Sequence, residues 1–212
     1  MIDASVRMGL DFEEGWIYPL TIQFVDSAPS GIENALAYVQ LRENSQGIYQ
    51  SLNINLALFQ KDDVNFRGVL GHELVHAMLN DAVGAQASSL LPLWFHEGLA
   101  VYGGNQGEEM FLRFLSSVDE KEATRILDGL DEFHSATDYL ESYLAFHYIY
   151  ERKGISSLRN FVKEVVKRKG DISGALSYTC FESWDDFQKN TKEYSLEKFR
   201  GFYREKDRSL RR

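Results

Sequence analysis

Between Gly68 and Leu79 the chain reads GVLGHELVHAML, and its only ionisable residues there are His72, Glu73 and His76. At the angular step of a helix, His72 and His76 fall together one turn apart, while Phe66, Leu70, Leu74, Ala77 and Met78 form a broad apolar stripe on another side. Val75 and Leu79 make even the histidine flank largely apolar. A helix that is apolar nearly all round is a buried one. Burying two imidazoles and a carboxylate without partners costs several kcal/mol or shifts their protonation. A divalent zinc ion satisfies them, because neutral imidazole nitrogens four residues apart on a helix can both reach a metal at about 2.0 to 2.1 Å. Glu73, beside His72, then stands to address a metal-activated water rather than the metal.

A second segment repeats the pattern. Leu91 to Tyr102, LPLWFHEGLAVY, is apolar around its circumference except at His96 and Glu97. A second buried carboxylate needs a cation, and the 20 residues between His76 and Glu97 let the chain finish one helix, turn and return. Glu97 becomes the third ligand of one zinc ion per chain. Two histidines and one glutamate leave a fourth tetrahedral position open, as in catalytic rather than closed structural sites. Gly98 permits close helix packing next to that ligand. His96 points about 100° away from Glu97 and reads as structural. His134 is assigned no ligand role, and His147 reads as packed.

GHELVHAML followed by PLWFHEGLAVY resembles the gluzincin metallopeptidases, the group that includes thermolysin and the aminopeptidases related to leukotriene hydrolase. It is especially similar to small peptidase-MA-like domains whose second motif reads W-x-x-E-G-x-A. The resemblance implies ligands His72, His76 and Glu97, Glu73 as general base, and hydrolysis of a peptide or protein substrate. A weaker likeness covers Tyr139-Leu140-Glu141-Ser142-Tyr143. It implies that Tyr139 faces the metal, with Tyr143, one turn later, as the other candidate. In the thermolysin branch an aspartate four residues after the glutamate ligand supports a zinc histidine; the matching position here is Val101, so that support must come from elsewhere. Two other readings stay open at this point: a zinc-stabilised binding or regulatory module of the same fold, and a zinc hydrolase acting on a non-peptide amide.

The elements that must hold these residues follow from the hydrophobic period. Trp16 to Val25, Ala35 to Leu41 and Ile48 to Phe59 carry β-branched and aromatic residues between turn signals, and in the third Leu52, Ile54, Leu56 and Leu58 alternate as in a half-buried strand. The resemblance to the gluzincins implies that an exposed edge of Ser51 to Phe59 seats an extended substrate, added antiparallel. From Val64 onward the period is helical, over about Val64 to Asn80, Pro92 to Tyr102, Glu108 to Ser117, Glu120 to Leu127, Asp138 to Arg152, Ser156 to Lys169, Ile172 to Tyr178 and Trp184 to Lys206. Pro92 suits a first turn, Ser135 to Asp138 resembles a capping box, and Gly154 and Gly170 read as stops. The fold class is α+β: a strand-rich front (residues 1–63), a zincin-like metal-binding helical core (64–152) and C-terminal helices (153–212), read as one domain.

Composition limits the alternatives. The 212 residues suffice for a sizeable core, and a net charge of −9 without a long basic block argues against a nucleic-acid partner. Cys180 is the only cysteine, so neither an intrachain disulfide nor a cysteine-based zinc site is available. No apolar run approaches the roughly 20 residues that span a bilayer, and the first residues lack the pattern of a signal peptide. The chain as given reads as soluble, and a place as part of a longer exported or anchored protein stays open.

Overall fold

The computed structural model describes residues 16–59, 65–123 and 139–210. The β-branched and aromatic runs pair into a three-stranded sheet of β1 (Leu20–Val25), β2 (Ala37–Asn44) and β3 (Gly47–Asn55). A tight hairpin makes β2 and β3 antiparallel, and β1 lies parallel on the other side of β3, giving the order β1-β3-β2.

Three strand expectations are corrected. The third strand ends at Asn55, and Leu56–Phe59 forms a short helix, α1. Asn55 lies opposite the last residue of β1 and Ile54 opposite the first residue of β2, so beyond them the backbone finds no ladder partner among the described residues and closes its own hydrogen bonds. Nor is β3 half-buried. It is the middle strand, and Ser51 to Asn55 are each at most 2% exposed on both faces. Asn53 Nδ2 accordingly donates to the Ser51 carbonyl at 3.0 Å. Flanked along Ser51 to Ile54 by both neighbours, β3 offers no edge to an extended ligand; the edges of the sheet are β1 and β2.

The helices follow as α2 (Phe66–Val83), α3 (Ala85–Ser88), α4 (Leu93–Gly103), α5 (Gly107–Ser117), α6 (Tyr139–Lys153), α7 (Ile155–Lys167), α8 (Ile172–Thr179) and α9 (Trp184–Leu210). Pro92 stands just ahead of α4, and Gly154 and Gly170 follow the ends of α6 and α7. The helix expected over Glu120 to Leu127 is present at residues 120–123. Its remainder, His134 and the capping box lie outside the described residues. None of the described helices is long and apolar enough to cross a membrane.

α2 is a shared wall rather than a helix with one apolar stripe. Leu70 and Leu74 pack on Leu52 and Ile54 of the sheet, whereas Val75, Met78 and Leu79 enter the helical core. Phe66, expected in the stripe, is 47% exposed. Trp94, Phe95, Leu99 and Ala100 of α4 are fully buried, which matches a helix apolar on every side, packed between α2 and α6.

The crossing of α4 and α6 depends on Gly98. A Cβ there would stand 2.4 Å from the Ser142 carbonyl oxygen and 2.6 Å from Phe146 Cδ2. Gly98→Ala is therefore expected to force the helices apart and destabilise the protein by about 1 to 3 kcal/mol, the usual range for overpacking. A thermal melt checks this; an unchanged midpoint would show that α6 yields without penalty.

Candidate metal centre

His72 and His76 lie four residues apart on α2, and α4 brings Glu97 across to them. His72 Nε2 lies 3.0 Å from His76 Nε2. Glu97 Oε2 lies 3.2 Å from His72 Nε2 and 3.7 Å from His76 Nε2. Ligand atoms at about 2.0 to 2.1 Å around a tetrahedral zinc stand about 3.3 to 3.4 Å apart, so this triangle has the size of one tetrahedral face. Glu97 Oε2 is buried and, among the described residues, accepts no hydrogen bond of good geometry, although both imidazole nitrogens are close. A buried oxygen left in that condition among converging nitrogens suits a cation. Among the described residues, these three side chains form the only group of His, Cys, Asp or Glu whose ligand atoms converge within 4.8 Å.

The electrostatics suit the same purpose. Burial pushes the Glu97 carboxyl up, but the His72 and His76 imidazoles outweigh it and hold the group at about 2, an anion at any ordinary pH. Burial lowers His76, with Glu97 opposing, which favours the neutral ring a metal needs. Glu73 is only 9% exposed. Burial raises its carboxyl to about 7; His72 pulls it down, Glu97 pushes it up, and a hydrogen bond from the Val39 backbone pulls it down again. It is the one carboxyl of the cluster poised to exchange a proton near neutrality.

His72 and Glu73 open onto a cleft of about 480 Å³ whose apolar wall includes Val69, Val101 and Met110 and whose rim includes Leu36 and Ala37 at the start of β2. Tyr139 lines the same cleft, 48% exposed, with its ring 5.9 Å from that of His72. Burial, then Glu97 and Glu73, raise its hydroxyl, so it remains a proton donor. Tyr143 is instead 8% exposed. It packs on Gly107, where a Cβ would stand 2.0 Å from its ring, and lines a different cavity. Of the two tyrosines, only Tyr139 is brought to the cluster.

His96 stays out of the triangle, as expected, and donates from Nε2 to the Ser88 carbonyl at 2.7 Å. His147 is bonded through Nδ1 to the Tyr194 hydroxyl. Val101 is buried in the cleft wall, and what approaches His72 from behind is Gln106, whose Oε1 lies 3.1 Å from Nδ1. No periodicity marks Gln106. Its one sequence signal is its place just past the turn that ends the glutamate-bearing helix.

No protein-family model, curated protein or solved structure matches the chain. The geometry of the cluster and its cleft therefore carries the functional reading.

Proposed function

We propose that this chain is a zinc-dependent peptidase of gluzincin type, with α2 and α4 as its zincin-like helices. The observation that supports it is the triangle of His72, His76 and Glu97 donor atoms, sized as a tetrahedral face, with the buried Glu73 carboxyl lining the adjoining open cleft. When bound, zinc supplies Lewis acidity that lowers the pKa of water toward about 7 and polarises a carbonyl. Glu73 takes a proton from the attacking water and delivers it to the departing amine. Tyr139 donates a hydrogen bond to the developing oxyanion.

An extended substrate needs a strand edge near this chemistry, and β2 supplies one. Among the described residues its outer side carries no strand partner, its first residue lines the cleft, and the backbone of Val39 reaches Glu73. Addition of an antiparallel substrate strand there satisfies the backbone and presents a peptide bond to the cluster.

Protein purified without chelators is expected to contain about one zinc per chain and to cleave members of a mixed peptide library, read by metal analysis and mass spectrometry. Absence of zinc would remove the metal reading. Zinc without cleavage would favour a binding module or a non-peptide amide substrate. Tyr139→Phe is expected to lower kcat about 100-fold with KM nearly unchanged, as for loss of one oxyanion donor. Tyr143→Phe should leave kcat in place, and equal losses in both variants would take Tyr139 out of the chemistry.

A further inference from the structure

A histidine that offers Nε2 to a cation carries its proton on Nδ1, and in a buried site that proton needs an acceptor. His72 is 8% exposed. Its Nε2 also lies 3.0 Å from His76 Nε2, so the pair alone does not decide which ring donates to the other, and the tautomer must be set from outside the pair. The atom in position to set it is Gln106 Oε1, 3.1 Å from His72 Nδ1.

The backbone is arranged to deliver that side chain. A Cβ on Gly104 would stand 2.9 Å from both the Gly68 carbonyl oxygen and the His72 amide nitrogen, so the turn leaving α4 rests directly on α2. One helical turn before His72, a Cβ on Gly68 would meet Gln106 Cγ at 3.0 Å. The missing side chain at Gly68 leaves the path along which the Gln106 methylenes reach the ring.

We infer that Gln106 is a positioning residue whose side-chain carbonyl accepts the His72 Nδ1 proton and so presents Nε2 as a lone pair toward Glu97 and His76. This rests on the proposed zinc site. The acceptor is a neutral amide, so it orients the ring without adding charge, and Glu97 remains the only anion in the ligand triangle. A carboxylate in the same place would make the ring a stronger ligand.

Two variants and two measurements test this. Zinc affinity by chelator competition is expected to fall about 10- to 100-fold in Gln106→Leu and to be kept or raised in Gln106→Glu, which restores an acceptor. Long-range nitrogen–proton correlation spectra of the zinc-free protein should show His72 protonated on Nδ1 in the wild type and in Gln106→Glu, and shifted toward Nε2 in Gln106→Leu. A merely structural residue would not move that signature. Wild-type zinc affinity in Gln106→Leu, equal losses in both variants, or an Nε2-protonated His72 in the wild type would each overturn the inference. If the wild type binds no zinc, the proposed function fails, and the tautomer spectra still decide the role of Gln106.

Discussion

Glu73→Gln is expected to keep one zinc per chain and to lower peptide cleavage by about 10²- to 10⁴-fold, the usual contribution of a positioned acid–base group. Glutamine preserves shape and hydrogen bonding but cannot take and return a proton. Glu73 is not among the three converging ligand atoms, so its replacement leaves the triangle intact. Without a metal ion, burial raises the carboxyl to about 7, against the usual 4.5; a zinc ion bound beside it would pull the group back toward the ionised base that accepts the proton. Metal analysis and kcat measured on the same preparation separate the two effects. Undiminished cleavage would remove Glu73 from the chemistry, and loss of zinc together with cleavage would make it part of the metal site instead.

The features legible in the sequence were those written in local chemistry. Three ionisable residues in an otherwise apolar stretch, and a carboxylate in a second one, announce a buried charge cluster by themselves, and the helices bearing them lie where Pro92 and the hydrophobic period put them. Pairing is different. Whether β3 is an edge or a middle strand depends on β1 and β2, and Leu52 and Ile54 alternate with Asn53 and Asn55 in either case. The same limit hides the choice between Tyr139 and Tyr143, which share a helix one turn apart and are separated only by the cavities they face. Gln106 is the extreme case. A glutamine at the start of a helix has no distinguishing pattern, and its approach to His72 exists only because Gly68 and Gly104 let two backbones nearly touch.

Zinc removal is expected to lower thermal stability sharply, and His76→Ala to abolish both the zinc-dependent part of that stability and cleavage. Free zinc at a thousandfold excess over its Kd stabilises by about 4.1 kcal/mol. At roughly 2 to 4 °C per kcal/mol for a chain of this size, chelation then lowers Tm by about 8 to 16 °C. Zinc-free protein also acquires a pH dependence with a definite sign. The folded chain holds a Glu73 proton up to about 7 that the unfolded chain releases near 4.5, so this group lowers stability as pH rises between those values. Glu97, held at about 2, acts the other way, adding stability as pH rises from about 2 to its usual 4.5. His76 and His96, lowered by burial, also add stability as pH climbs toward the usual 6.5. Comparison with Glu73→Gln isolates the Glu73 share: relative to that variant, the zinc-free wild type should lose stability from pH 4.5 to 7 in isothermal denaturant melts. A flat difference across that window would mean that the Glu73 carboxyl ionises as freely in the folded chain as in the unfolded one, and that its burial does not raise it.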